Sequence, residues 1–298
     1  MDWEKSIETE WIKNLDDDTY KIDENTKWED IPAIKTLKTI AEKWENAKPD
    51  TYIFPGDEDA IKKYQDKYKD TEYGLQLHLP PHPFAGNPYA PIWVINLNPG
   101  YNEEADEADF KDPEGDGWKW SIAQLKGEIF CNYYLRLPDH GSGACNWWKT
   151  HLSICKNDIS KADCFFSIDY FPYQSKSYQN PEGFDFESTK LFNKMIKWGI
   201  DRNVLFIILR KDVENKIEKQ IGLNQLKNRI YGINKQRTWI SFGNLYLPKS
   251  KEKNKKDRIE ENKKFIDKFF QKHPHTTTCC ICEKEKCTCE WQLTKQKK

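Results

Sequence analysis

The 298-residue chain has almost no net charge (−1) and few apolar residues (37%), and its longest strongly apolar run is the six residues 204–209. Such a run is far short of the roughly 20 residues a membrane-spanning helix needs. The opening Met1-Asp2-Trp3-Glu4 is acidic where a secretory signal would be basic and then apolar. The expectation is a cytosolic protein with no membrane partner. The chain also lacks a Gly-x4-Gly-Lys-Ser/Thr loop, a Gly-x-Gly-x-x-Gly fingerprint and any internal repeat, which disfavours the common nucleotide-binding folds and repeat architectures. The scarcity of apolar residues is not disorder, because 14% of the residues are aromatic and 12 are Trp. A folded, aromatic-dense core of ordinary size is expected.

The near-zero net charge hides an asymmetry. Residues 202–298 carry 24 Lys/Arg against 11 Asp/Glu, a net +13 that leaves −14 on residues 1–201. Nine cysteines in a reducing compartment are not a disulfide framework. Cys131, Cys145, Cys155 and Cys164 have apolar neighbours and read as small buried hydrophobes, whereas the other five crowd the last twenty residues. Among those, Cys279, Cys282, Cys287 and Cys289 offer the four ligands of a structural zinc, although the Cys-x-Cys spacing fits a thiol-rich tail as well. No cofactor is required for catalysis on this reading.

Three regions follow from the pattern. Residues 1–75 are charged and Trp-punctuated, with a helical stripe of Ile34, Leu37, Ile40, Ala41 and Trp44, and read as an acidic helical accessory region. Residues 78–91 hold five prolines, which excludes helix and central strand. Four apolar runs (92–97, 164–169, 204–209 and 238–242) then alternate with helical periodicity. Ser188 is a plausible cap for the helix before the third run. The expectation for residues 76–250 is α/β: a three-layer α/β/α domain with a central, mainly parallel four-stranded sheet. Residues 251–298 read as a basic helix and a Cys-rich tail.

In open parallel sheets ligands bind beyond the carboxyl ends of the strands, so the residues that follow each run carry the functional information. The first run ends Leu97-Asn98-Pro99-Gly100-Tyr101. Pro99 and Gly100 favour a type II turn that exposes Asn98 and opens the glycine backbone to a ligand, although Asn-Pro-Gly is also an ordinary tight turn. The second run ends on Asp169, followed by Phe171 and Tyr173. The fourth leads into Asn244, Leu245 and Tyr246, beyond which Lys249 and Lys251 begin a segment with ten Lys/Arg and five Asp/Glu up to Lys272. That segment suits phosphate contacts, or is simply a solvated helix face. His78 and His82 lie in the proline-rich approach, with a pocket role as the lesser reading.

An apolar strand followed by Leu97, Asn98, Pro99 and Gly100 resembles the first motif of the uracil-DNA glycosylase superfamily, in its mismatch-specific and single-strand-selective branches, with Asn96 in place of the leading glycine. The wider pattern resembles bacterial glycosylase-like proteins in its Gly86-Asn87-Pro88 lead, Trp147-Trp148 pair, Pro172-Tyr173-x-Ser175 loop and Ser241-x-Gly243-Asn244-Leu245 ending. The resemblance covers residues 76–250. It implies a DNA glycosylase-like hydrolase, a monomer, that flips a uracil or modified pyrimidine out of DNA and hydrolyses its N-glycosidic bond, in repair or anti-phage defence. It further implies that Asn98 positions water, that Gly100 and Tyr101 lie near the base, and that Phe171 or Tyr173 stacks on it. Asn244 would contact base or phosphate, and Leu245 and Tyr246 would form a wedge. The second motif's histidine is absent. Asp169, after the second strand, is a candidate second catalytic group, since an amide is a poor general base. Rival readings are a non-catalytic nucleic-acid-binding protein and a small-molecule hydrolase.

Overall fold

A computed structural model describes residues 32–128, 165–177, 184–202, 204–222, 230–233, 245–246 and 254–272. Six strands form one sheet: β1 (Phe84–Gly86), β2 (Ile92–Asn96), β3 (Phe165–Asp169), β4 (Leu205–Ile208), β5 (Ile230–Ile233) and β6 (Leu245–Tyr246), in the order β1-β3-β2-β4-β5-β6. The inner four, β3-β2-β4-β5, are parallel. β1 and β6 close the two edges antiparallel. Strand β2 is central, and Trp93, Val94 and Ile95 are all 0% exposed, so both faces of the sheet are covered. Continuous apolar runs such as Ile92–Ile95 and Leu205–Ile208 are what a sheet buried on both faces demands.

The expected mainly parallel four-stranded sheet is therefore present, with two additions and one substitution. The fourth parallel strand is Ile230–Ile233; the run 238–242 expected to fill that place lies outside the described residues. The proline-rich lead contributes β1, a three-residue edge strand, as befits a segment that can pair on one side only. Gly86 is required there: its φ is +101° and a Cβ would stand 2.5 Å from the Phe165 carbonyl oxygen.

Helices α1 (Pro32–Ala47), α2 (Glu58–Tyr68), α3 (Glu103–Phe110), α4 (Asp116–Lys126), α5 (Glu187–Asp201), α6 (Lys211–Ile221) and α7 (Lys255–Lys272) flank and follow the strands. Pro32 opens α1, where its missing N–H costs nothing. Asn102 opens α3, its side chain accepting from the Ala105 N–H while Asp106 accepts from the Asn102 N–H. Gly127 ends α4 in the left-handed conformation. Ser188 is not the cap of α5. It lies inside the first turn, and its backbone N–H donates to the buried Asp57 carboxylate (3.1 Å), so the cap comes from a residue 131 positions away.

Residues 32–75 share their core with the strand-bearing segment. Trp44, Tyr52, Phe54 and Tyr64 belong to the same core cluster as Trp93, Phe166, Phe171 and Phe192. The aromatic rings run on without a break: Trp44 meets Phe54 (5.3 Å), and Phe54 meets both Tyr173 (6.0 Å) and Phe192 (6.3 Å).

Candidate functional site

Beyond the sheet, the chains leaving β2 and β3 stay together. The Tyr170 and Phe171 N–H groups donate to the Asn96 and Leu97 carbonyls, and Gly100 bridges Ser175 in parallel. The proline-rich approach forms a third strip, with Gln76 N–H donating to the Gln174 carbonyl and His82 N–H to that of Pro172. The expected type II turn is absent. Gly100 takes no positive φ, because it is held in the extended bridge to Ser175. Its role is space: it is exposed, and nothing lies within 4 Å of where a Cβ would stand.

Asn98 stands at the start of this extension. Its Nδ2 donates to the Pro99 carbonyl (3.0 Å) and to Ser175 Oγ (3.1 Å), and Ser175 Oγ in turn donates to the Ser177 carbonyl (2.6 Å). Both amide hydrogens are thus used, and Oδ1 makes no hydrogen bond among the described residues. The result is a fixed acceptor at the carboxyl end of the central strand. Strand order places it beside the switch point between β2 and β4, where successive connections run to opposite sides.

Asp169 pairs in register with Asn96 on the same face of the sheet. Burial pushes its carboxyl well above the usual carboxylate range, opposed by the hydrogen bond from the Asn96 amide. Asn96 Nδ2 also reaches Ser167 Oγ (3.2 Å), while Asn96 Oδ1 is buried without a partner among the described residues. The setting favours the protonated carboxyl more than water does.

Tyr101 continues from Gly100 into an acidic cluster. Its hydroxyl donates to Glu107 Oε1 (2.8 Å), the same oxygen that meets His78 Nε2, and Lys111 Nζ lies 3.3 Å from Oε2. Partial burial raises the Glu107 carboxyl, but the bonds from His78 and Tyr101 outweigh it and hold the pKa below its ordinary value. The Tyr101 hydroxyl is pushed up, first by desolvation and then by Glu107. Sequence reasoning missed this cluster: Glu107 is one acid among many in α3, and 29 residues separate it from His78.

Two expectations are corrected by burial. Phe171 and Tyr173, the expected stacking platform, are 1% and 2% exposed and lie in the core, where Phe171 packs on Phe186 (4.8 Å). The Tyr173 hydroxyl donates to Asp57 (2.7 Å) and accepts from the Phe54 N–H (3.0 Å). Neither ring has a face for a ligand; of the three aromatics expected at the base, Tyr101, Phe171 and Tyr173, only Tyr101 is partly exposed. Leu245 and Tyr246 form edge strand β6 rather than the tip of a loop. His82 is a packed histidine: burial lowers its pKa to about 3, its Nε2 meets Ser121 Oγ (2.8 Å), and Phe110 stacks edge-on (4.5 Å). Asn244, Lys249, Lys251, Cys279, Cys282, Cys287 and Cys289 lie outside the described residues. Among the described residues, no helix is long and apolar enough to cross a membrane.

Compared with known protein families, curated proteins and solved structures, the chain matches none.

Proposed function

We propose that the chain is a glycosylase-like hydrolase of the uracil-DNA glycosylase type, with a three-layer α/β/α core, that releases uracil or a modified pyrimidine from DNA. The observation that carries this reading is the Asn98 carboxamide, whose Nδ2 is committed to Pro99 and Ser175 so that Oδ1 is left as a lone acceptor among the described residues. Hydrolysis of an N-glycosidic bond passes through a cation-like sugar. It needs a water held on one face while the base departs from the other, and a fixed acceptor orients such a water without having to deprotonate it.

Extruding a base costs a few kcal/mol, which stacking and the open Gly100 backbone would offset. Tyr101 supplies the aromatic face on this reading. Asn244 contacts the base or a flanking phosphate, and Leu245 and Tyr246 meet the duplex from the sheet edge. Lys249 and Lys251, with the lysines of α7, take the phosphates.

Abasic-site formation on uracil-containing and modified oligonucleotides tests the proposal. Wild-type protein should release base and Asn98→Ala should lose release at least 100-fold while still binding DNA; full activity in the variant would sink the assignment. A second reading, hydrolysis of a free nucleoside, is favoured by the acidity of α3, whose Glu103, Glu104 and Asp106 crowd its first turn directly after Tyr101 and would repel a polyanion. Release from nucleosides with none from oligonucleotides would select it.

A further inference from the structure

Building on the strand-end site as a hydrolytic centre, we propose that His78 is its general base, oriented by Glu107, and that it takes the proton of the water that attacks the sugar carbon. The carboxamide of Asn98 can place a water but cannot accept its proton. A group that can do so stands on the neighbouring strip. Gln76 N–H to the Gln174 carbonyl and Gln174 Nε2 to the Pro80 carbonyl (3.4 Å) clamp the approach segment on both sides of His78 to the chain leaving β3. That chain is the one Gly100 bridges and Asn98 bonds through Ser175.

Nε2 of His78 faces Glu107 Oε1, which also accepts from the Tyr101 hydroxyl. A carboxylate only accepts, so Nε2 carries the hydrogen, and the lone pair of the neutral ring is on Nδ1. Nδ1 has no hydrogen-bond partner among the described residues, and the His78 side chain is 38% exposed. Glu107 and Tyr101 face the ring from α3 and the loop before it. Lys111 holds the second Glu107 oxygen, and Lys176, paired with Glu103 (2.7 Å), lies over the Tyr101 ring (5.9 Å). His82 cannot serve, since its Nε2 is engaged by Ser121 and its ring is packed against Phe110.

In the step itself, the water oxygen bonds to the sugar carbon as the N-glycosidic bond breaks, and that bond's electron pair leaves with the base. The water proton passes to His78 Nδ1, and Glu107 stabilises the imidazolium. The departing base then takes a proton from solvent and His78 returns one. Nothing is oxidised or reduced.

The test uses the full chain labelled with ¹⁵N, with the His78 signals assigned by their absence in His78→Gln. The neutral ring should be the Nε2–H tautomer, and Glu107→Leu, which removes the acceptor at Nε2, should shift the ring towards the Nδ1–H tautomer. Diethyl pyrocarbonate should acylate His78 and spare His82. Base release should fall about 100-fold in His78→Gln, and Glu107→Leu should lower kcat with KM little changed. An Nδ1–H tautomer, a tautomer ratio that Glu107→Leu leaves unmoved, or full release by His78→Gln overturns the proposal. A wild-type protein that releases no base from oligonucleotide or nucleoside overturns the hydrolytic reading instead, and the tautomer and acylation results judge the base separately.

Discussion

The Tyr173 hydroxyl serves two buried groups, the Asp57 carboxylate and the Phe54 N–H, so Tyr173→Phe orphans the Phe54 N–H and strips the Asp57 carboxylate of one bond, leaving it the one from the Ser188 N–H. At about 1–3 kcal/mol for an orphaned buried group, the variant should lose about 1–3 kcal/mol in urea unfolding, and a loss under about 0.5 kcal/mol would show that water replaces the hydroxyl. Asp169 permits a pH test. Its folded pKa is raised by burial, so the fold favours the protonated carboxyl. That contribution is fully present below the ordinary carboxylate pKa of about 4 and is lost as pH rises through the raised folded value. Asp169→Asn should therefore melt close to wild type near pH 4 and gain on it progressively towards pH 8. A melting-temperature difference that stays flat with pH would place the carboxyl in an ordinary ionised state. At this scale the sequence marks Asn98 and Asp169 as strand-end residues, since each follows an apolar run. It cannot show that Phe171 and Tyr173, aromatics in the loop after a strand, turn inward, because Tyr173's partners Asp57 and Phe54 are more than 110 residues away and Phe171 packs on Tyr64 of α2.

Helix α5 packs against the sheet at Gly199, where a Cβ would stand 3.0 Å from Phe206 Cζ and 3.1 Å from Trp93 Cζ3. Alanine is worth about 1 kcal/mol over glycine in a helix, but overpacking two immobile core rings costs about 1–3 kcal/mol. Gly199→Ala should be neutral to about 2 kcal/mol less stable by thermal melt, and a clear stabilisation would mean the helix is free to shift. Gly100→Ala meets open space and should melt like wild type, while a ligand resting on that backbone would bind more weakly. The elements themselves differ in legibility. β2, β3 and β4 are visible as apolar runs because burial on both faces removes polar residues. The short run of β5, Ile-Tyr-Gly-Ile, has a glycine at its centre and lies in a lysine-rich stretch. A three-residue strand such as β1, framed by prolines, has no periodicity to read.

The whole molecule unites stretches of unlike composition. The charged text of residues 32–75 reads as an accessory because its apolar positions are sparse, yet those positions fill the common core. Trp44, Tyr52, Phe54 and Tyr64 are each at most 7% exposed. At about 1.5–3 kcal/mol per buried side chain, removing all four forfeits about 6–12 kcal/mol, as much as a typical domain's net stability of about 5–15 kcal/mol. A chain beginning at residue 76 should show no cooperative unfolding transition by circular dichroism, and a sharp transition would restore the two-part organisation. The charge asymmetry supports a second prediction at this scale. If four phosphate contacts come from the net positive C-terminal part, DNA affinity should fall about 100-fold between 50 and 200 mM salt, from the slope of about −0.9 per contact. Salt-insensitive binding would leave α7 as a solvated face. 

The sheet's edges have a consequence of another kind. A parallel interior of continuous apolar strands would be a ready template for another chain if its flanks lay open. Among the described residues, β1 and β6 run against the others and are three and two residues long, and β1 adjoins Pro83. An incoming strand finds too few free amides in register to nucleate on them. The two short edge strands should therefore protect the chain against self-assembly into fibrils, even though the strands between them are among its most amyloid-prone segments.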